Sequence, residues 1–295
     1  MGRTDTQTAT VCAVVVTYNR SDLLSRCLDH LEAQSRRPDH TVVVDNASTD
    51  ETPRLLAARD GIELLTLHEN LGSSGGFKCG LEHAYQQGHD WLWMLDDDTL
   101  PDSRCLEQLL AGAARAPRRP SIIASVVRWQ DGRLHPMNRP WLRARARSDF
   151  VDGVDAGLAL IRTSTFVSTM IHRTAIAEHG YPPAHYFVWL DDMEYTGRVL
   201  RHAHGYIAPE SVVWHWTPQP YSTLTDARER FYYKARNHLW LLRRGESFGG
   251  RERITYGWAF LTAILTYLRD SDDRGRALRT TFRGIRDGLR REPRE

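Results

Sequence analysis

Short apolar runs alternate with amphipathic segments along the first part of the chain. Residues 11–16 and 41–44 are rich in β-branched side chains, which is typical of strands buried on both faces of a parallel sheet. Between these runs, leucines recur at helical spacing: Leu23, Leu24, Leu28 and Leu31. A helix over 51–59 and a strand over 62–67 repeat the unit. The pattern predicts an α/β fold with a mostly parallel central sheet flanked by helices.

A further apolar run, residues 91–95, leads directly into three consecutive carboxylates, Asp96, Asp97 and Asp98. Ligands of open α/β sheets bind beyond the carboxyl ends of the strands. Adjacent carboxylates repel one another unless a cation joins them, and Mg²⁺ and Mn²⁺ prefer oxygen ligands that they share with phosphates. The run therefore predicts a divalent cation that bridges the protein to a diphosphate. The alternative is a solvated acidic turn in which Asp98 or Thr99 caps the next helix.

The segment before this strand, residues 69–80, contains the glycines Gly72, Gly75, Gly76 and Gly80. Gly-rich loops let backbone N–H groups approach phosphates closely. The segment matches neither a dinucleotide-binding GxGxxG nor a Walker A sequence. We expect either a phosphate-binding loop or a flexible connector, followed by a helix over 77–87.

A second acidic pair, Asp191 and Asp192, follows the apolar residues 186–190 and begins a helix that we expect to reach about residue 202. The pair predicts a general base in an aromatic setting, and the alternative is a helix cap stabilised by the helix dipole. Residues 212–216 predict a strand that delivers His215, flanked by two tryptophans. A lone histidine is more often structural, but one that ends an apolar strand is a better candidate for a ligand.

The middle of the chain is less regular. We expect strands over 121–129 and 156–171, a short helix over 172–179 that ends at Gly180, and a mobile loop over a site at 131–149.

The C-terminal end of the chain is basic. Residues 227–295 carry a net charge of +8 and residues 1–226 a net charge of −6, so the overall value of +2 conceals an asymmetry. Residues 228–243 have helical spacing, and residues 254–268 are apolar but too few to cross a bilayer upright. We expect the arginine-rich residues 269–295 to be frayed at their end. We expect two parts: 1–226, the body, and 227–295, a helical, basic extension.

A basic extension favours an anionic partner, and the alternative is a solvated helix face. No nucleic-acid reader motif accompanies the charge, so we expect no nucleic-acid partner and a peripheral membrane contact instead. The four cysteines match no metal motif and indicate a reducing compartment. With no apolar leader and no membrane span, we expect a cytoplasmic protein at the inner face of the plasma membrane.

Taken in order, these segments resemble the family 2 glycosyltransferases with the GT-A fold. The segments that carry the resemblance are residues 14–20, 43–50, 70–77 and 95–98, together with Asp191, Asp192 and His215. The resemblance covers residues 11 to 245. The triple aspartate and residues 189–195 and 231–237 are similar to the bacterial galactofuranosyltransferase and rhamnosyltransferase branch.

The resemblance implies an inverting enzyme that moves a sugar from a UDP- or dTDP-sugar to a glycan, glycolipid or lipid-linked saccharide, with Mn²⁺ or Mg²⁺. It implies that the donor contacts Thr17, Tyr18, Asn19, Asp45, Gly75, Gly76, Asp96 and Asp97. The implied metal ligands are Asp96, Asp98 and His215. Asp192 matches the catalytic base, with Asp191 beside it and Trp189 near the acceptor. The chain is shorter than the polymerising galactofuranosyltransferases, which favours transfer of one or a few sugars.

Two other functions compete with this interpretation. A sugar nucleotidyltransferase would also use a nucleotide fold and metal carboxylates, but residues 17–20 lack its Gly-rich, basic start after the first strand. A catalytically silent module that binds nucleotide-sugars is the second alternative, and the presence of both acidic clusters and His215 argues against it.

Overall fold

The structure, a computed structural model, describes residues 9–143, 147–218, 228–244 and 246–290. In chain order its strands are β1 (Val11–Thr17), β2 (His40–Asp45), β3 (Glu63–Thr66), β4 (Trp91–Asp96), β5 (Thr99–Pro101), β6 (Pro120–Arg128), β7 (Ala159–Leu160), β8 (Thr169–His172) and β9 (His204–His215). Its helices are α1 (Ser21–Glu32), α2 (Thr52–Ala57), α3 (Gly72–Gln86), α4 (Cys105–Arg115), α5 (Arg147–Asp155), α6 (Arg173–His179), α7 (Asp191–Val199), α8 (Phe231–Arg244), α9 (Gly250–Asp270) and α10 (Arg274–Arg290).

Strands β1 to β4 form the parallel half of a single sheet in the order β3-β2-β1-β4. Both faces are buried: Val11 and Val15 pack in the core on one side, and Val14 and Val16 pack in the core on the other. The chain runs outward from β1 to β3 and then returns to place β4 on the other side of β1. The crevice at such a reversal of strand order is where ligands of α/β sheets bind. It lies between the ends of β1 and β4, where Val16 pairs with Asp96.

The other half of the sheet is mixed. Strand β8 is antiparallel to both β4 and β6, whereas β9 is parallel to β6 and antiparallel to β5. Strand β9 is longer than the expected residues 212–216, and its register places His215 opposite Thr99, just after the acidic run. Of the expected strands over 156–171, only β7 and the first part of β8 form.

The glycine-rich segment is part of a helix, and the prediction of a loop there is wrong. Helix α3 begins at Gly72 and includes Gly75, Gly76 and Gly80. A Cβ at Gly75 would lie 2.4 Å from Leu71 Cβ, and one at Gly76 would lie 2.5 Å from Val16 Cγ1. Gly76 is needed because the helix packs tightly on β1, and Gly75 is needed because Leu71 lies against the first turn of the helix. A sequence pattern cannot distinguish such a need for small residues from a need for loop flexibility.

The last three helices pack against one another and against the body. Phe231 and Ala235 of α8, Phe260 and Tyr267 of α9, and Ala277 of α10 share one apolar cluster. Residues 274–290 form α10, and the expected fraying at the end of the chain stays a prediction, because residues 291–295 lie outside the described residues. No helix of the described residues is long and apolar enough to cross a membrane. The division of the chain at residue 226 stays a prediction, because residues 219–227 lie outside the described ranges.

We predict that Gly80→Ala lowers the free energy of unfolding by about 1–3 kcal/mol, the usual cost of overpacking a core. The new methyl group would lie 2.5 Å from Val14 Cγ1 and 2.8 Å from Val44 Cγ2. Urea unfolding of the two proteins measures the difference.

Gly257→Ala is the matched control, because Gly257 lies inside α9 with no atom within 4 Å of the added Cβ. It should raise the free energy of unfolding by up to about 1 kcal/mol through helix propensity. Equal urea midpoints for the two variants would contradict the close packing of α3 on the sheet.

Candidate active site

The three consecutive aspartates at the end of β4 point to different partners. Asp97 Oδ2 accepts a hydrogen bond of 2.8 Å from Thr17 Oγ1, and Asp97 Oδ1 lies 3.1 Å from Arg20 Nη1. The same Nη1 lies 2.6 Å from Asp98 Oδ2. Arg20 thus holds two of the carboxylates apart from each other and supplies a positive charge between them. Asp97 is directed toward β1 and Arg20, whereas Asp96 and Asp98 face His215.

His215 reaches the acidic run from β9. Its Nε2 lies 3.0 Å from Asp98 Oδ1, and its Nδ1 lies 2.9 Å from Asn138 Oδ1. Asn138 Nδ2 donates to Thr165 Oγ1, so the amide oxygen of Asn138 is the atom left to accept a proton from Nδ1. In neutral His215 the lone pair of Nε2 therefore faces the Asp98 carboxylate. The Nε2 lone pair and the lone pairs of Asp98 Oδ1 would repel each other at 3.0 Å unless a proton or a cation lies between them.

Asp96, Asp98 and His215 form a candidate cation site. One ligand atom from each residue lies within 4.8 Å of the others. Two carboxylates and an imidazole are a donor set that suits Mn²⁺ or a related divalent ion. The hydrogen bond from His215 to Asn138 orients the ring in the way that outer partners orient metal-bound histidines. The residues present therefore fit the divalent cation that the sequence implied.

Burial and mutual repulsion shift the protonation of this cluster. Desolvation and the neighbouring Asp98 raise the pKa of Asp96 to about 7, and desolvation raises the pKa of Asp97 to about 6 against the effect of Arg20. Burial alone would raise the pKa of Asp98, but His215 and Arg20 hold it well below its usual range. Burial alone would lower the pKa of His215, but Asp98 raises it above its usual value. The cluster is short of positive charge, and a divalent cation would supply it.

The second acidic pair lies at the start of α7, after a strained loop. Phe187, Trp189 and Leu190 all have positive φ angles, of 65°, 65° and 71°. Such angles are uncommon for residues other than glycine and are concentrated at functional sites. Desolvation raises the pKa of Asp191 to about 6, and desolvation together with Asp191 raises the pKa of Asp192 well above its usual value. Asp96 also raises the pKa of Asp192, so the two acidic clusters interact across the cleft.

Helix α8 holds this strained loop in place. The side-chain amide of Asn237, which is fully buried, donates to the carbonyl oxygens of Tyr186, Val188 and Trp189 at 2.9–3.0 Å. Arg236 Nη2 donates to Tyr186 O at 2.8 Å. Both residues lie in the segment 231–237, which the sequence analysis matched to a family branch without giving either side chain a role in the site. The signal that could have identified Asn237 is its amide side chain on the apolar side of a predicted helix, because a buried amide requires hydrogen-bond partners.

Both clusters line one cleft with a volume of about 830 Å³. The predicted site residues that line it are Thr17, Tyr18, Asp96, Asp97, Asp98, Asp191, Asp192 and His215. Residues from α8 and α9 close one side of the same cleft, among them Lys234 and His238, whose pKa values burial lowers to about 8 and about 4. Met137 to Trp141, in the segment expected to form a loop over a site, also line the cleft.

Four predicted donor-binding residues are not among the residues that line the cleft: Asn19, Asp45, Gly75 and Gly76. Asn19 Oδ1 accepts from the backbone N–H groups of Thr49 and Asp50, and Asp45 Oδ1 accepts from Ser48 N. These bonds shape the loops after β1 and β2. In this structure Gly75 and Gly76 serve helix packing, and a donor contact for any of the four stays a prediction.

Comparisons with known proteins support the same fold and family. The model of glycosyl transferase family 2 matches residues 12–180. Over 202 residues the chain is 37% identical to galactofuranosyltransferase GlfT1 of Mycobacterium tuberculosis, and the match spans 66% of this chain and 66% of the relative. It is 24% identical over 216 residues to an N-acetylglucosaminyl-diphospho-decaprenol L-rhamnosyltransferase of the same species, covering 63% of this chain and 69% of the relative.

Among solved structures, S. aureus TarS (residues 1–349, in complex with UDP-GlcNAc) is similar with a TM-score of 0.66. The sequence identity is 14%, and the superposition covers 95% of this chain and 80% of TarS. At this identity the likeness concerns the fold alone. The prediction of a GT-A fold with a C-terminal helical extension is confirmed.

We predict that Asp98→Asn weakens Mn²⁺ binding at least tenfold, because loss of a ligand should cost no less than the roughly 10–100-fold effect of losing an outer partner. Electron paramagnetic resonance of free Mn²⁺ measures the affinity without any other ligand. Asp97→Asn is the control, since it removes the same charge from a carboxylate that faces Thr17 and Arg20. Equal losses in the two variants would show that net charge matters and ligation does not.

We also predict that Mn²⁺ raises the melting temperature more at about pH 8 than at about pH 6. Because the pKa of Asp96 is raised from 3.8 to about 7 in the folded protein, the metal-free fold loses stability as the pH rises between these two values, and above about pH 7 the full penalty is present. A bound cation removes this penalty, and at lower pH protons compete with it for Asp96 and His215. Thermal shift at the two pH values tests the sign, and a larger shift at pH 6 would contradict the site.

Proposed function

The chain belongs to glycosyl transferase family 2, and we propose that it transfers a sugar from a nucleotide-diphospho-sugar to a hydroxyl acceptor with inversion at the anomeric carbon. The single observation that carries this proposal is that a candidate cation site and a second, separate acidic pair line one cleft. The first suits a diphosphate, and the second suits an acceptor whose hydroxyl must lose a proton.

The donor end of the cleft is the end of β1 and β4. Thr17 and Tyr18 line the cleft and would contact the nucleobase and ribose, and Asp96, Asp98 and His215 would hold a cation beside the diphosphate. When bound, a divalent ion there would neutralise the charge that develops on the departing nucleoside diphosphate. Arg20 keeps Asp97 and Asp98 in place during this step through two ion pairs.

Asp192 is the proposed general base. It is less buried than Asp191, it lines the cleft, and its raised pKa makes its carboxylate a stronger base than an ordinary aspartate. Asp192 takes the proton of the acceptor hydroxyl while the acceptor oxygen bonds to the anomeric carbon. The bond from that carbon to the diphosphate breaks on the opposite face, and the nucleoside diphosphate leaves with the electron pair. One displacement inverts the configuration and needs no covalent enzyme intermediate.

The proposed donor carries galactofuranose or a rhamnose-like sugar on UDP or dTDP. The 37% identity to a galactofuranosyltransferase favours the first sugar, and the weaker match to a rhamnosyltransferase favours the second. A saccharide, free or lipid-linked, is the proposed acceptor, since the rhamnosyltransferase is named for a diphospho-decaprenol substrate. Trp189 and the α8–α9 wall of the cleft offer the aromatic surface on which a sugar ring would pack.

Release of nucleoside diphosphate tests the function. The protein with Mn²⁺ is mixed with UDP-galactofuranose or dTDP-rhamnose and a panel of saccharide and lipid-linked saccharide acceptors. Release that requires both metal and acceptor is the expected result. Pyrophosphate exchange instead would favour a nucleotidyltransferase. Donor binding without release from any member of the panel would favour a silent binding module.

We predict that Asp192→Asn lowers kcat by about 10²-fold or more and leaves KM for the donor nearly unchanged, as expected when a general base is lost. Asp191→Asn is the matched control, because it removes the neighbouring charge from a residue that is only 4% exposed. If Asp191→Asn abolishes turnover and Asp192→Asn does not, Asp191 is the base.

A further inference from the structure

Helix α9 presents an apolar stripe to solvent. Ile254, Trp258, Leu261 and Leu265 are 65%, 66%, 51% and 68% exposed, and their spacing aligns them along one side of the helix. The residues that pack inward lie on the opposite side: Tyr256, Phe260, Ala263 and Tyr267. The helix is therefore apolar on two faces, and only one of them packs on the described part of the protein.

Helix α10 repeats this arrangement. Its exposed apolar residues are Leu278, Phe282 and Leu289, at 56%, 68% and 55%. Its inner side is so close to α8 that a Cβ at Gly284 would lie 2.7 Å from Tyr232 O, and one at Gly288 would lie 2.9 Å from Arg236 O. Both apolar stripes lie opposite the faces that pack inward. Together they hold seven of the fourteen large exposed hydrophobic side chains among the described residues.

Helix α10 is also strongly basic. Helix α10 contains the arginines Arg274, Arg276, Arg279, Arg283, Arg286 and Arg290. Its single acidic residue, Asp287, is buried and bonded to Tyr232 and Arg286. Apolar side chains bordered by exposed arginines match a surface that is apolar beneath a layer of negative charge. Two copies of this chain joined through the surface would instead bring like charges together.

We propose that the outward stripes of α9 and α10, with the arginines of α10, form a C-terminal apolar face that docks on an anionic lipid bilayer. Because no described helix can span the membrane, both helices would lie in the plane of the interface, with their aromatic and aliphatic side chains among the acyl chains. This goes beyond sugar transfer, and it holds for any activity of the cleft.

The face also has a geometric relation to the cleft. Ala259, Thr262 and Thr266 of α9 line the cleft, on a side of the helix next to the exposed stripe, so at most one helix width separates them from it. An α-helix with its side chains is about 10–12 Å across. A bilayer on the stripe would therefore lie beside the acceptor end of the cleft. This second step rests on the proposed function, whereas docking itself does not.

Vesicle sedimentation of the full chain tests the docking. With vesicles of phosphatidylglycerol and phosphatidylcholine at low salt, the wild type should pellet, and it should remain in solution with phosphatidylcholine alone. Added salt should weaken binding, because it screens the arginines. The Trp258→Ser/Phe282→Ser variant should bind at least about tenfold more weakly, since two large side chains no longer enter the apolar layer. Arg274→Gln/Arg279→Gln should reduce binding to the anionic vesicles.

The matched control is Val151→Ser/Val154→Ser, which changes two exposed apolar residues of α5, 63% and 57% exposed, outside the face. It should bind like the wild type. Wild-type protein that stays in solution with anionic vesicles overturns the proposal, as does undiminished binding by the Trp258→Ser/Phe282→Ser variant. A dimer that this variant dissociates, seen by analytical ultracentrifugation without vesicle binding, would assign the face to a second copy. No readout involves catalysis, so failure here is distinct from failure of the transfer proposal.

Discussion

Three carboxylates at the end of one buried strand are the constraint on which the site depends. Buried together without counter-charges, the three carboxylates would repel one another, and their raised pKa values would keep them protonated. The fold reduces this repulsion by directing Asp97 to Thr17 and Arg20, and Asp98 to Arg20 and His215. The remaining deficit of positive charge lies among Asp96, Asp98 and His215. The partners come from the loop after β1, which supplies Arg20, and from the end of β9, which supplies His215.

The second acidic pair depends on a different interaction, between α8 and the loop before α7. Three residues with positive φ angles place Asp191 and Asp192 at the start of α7, and such a loop needs support from its surroundings. Asn237 gives that support through three hydrogen bonds from one amide, and Gly72 allows α3 to approach Phe187 from the other side. The geometry of the candidate base is thus set by residues far from it in sequence.

The C-terminal helices are therefore part of the site as well as of the surface. Helix α8 supports the loop that carries the acidic pair, and α9 forms one wall of the cleft with one face while it turns an apolar stripe outward with another. Because one side of α9 lines the cleft and another side carries the exposed apolar stripe, a partner bound to the stripe would lie close to the cleft. The net positive charge of this part of the chain, which the sequence shows, lies largely on the arginine-rich helix α10.

The sequence by itself determined the parallel half of the sheet and the family, because buried strands, helical leucine spacing and short motifs are local patterns. It also marked Asp96, Asp98, His215 and the pair Asp191–Asp192 as candidates, whose roles stay predictions. Only the tertiary structure decided that glycines 72–80 lie in a helix. Gly72 packs against Phe187, Gly76 packs against Val16, and Gly80 packs against Val14 and Val44, all on other elements. Only the tertiary structure brought Arg20, Asn138 and Asn237 to the site. Their hydrogen-bond partners are 77, 77 and 48–51 residues away along the chain. Local pattern encodes which side chains are buried, but the contacts that orient a charged group depend on distant segments that meet only when the chain folds.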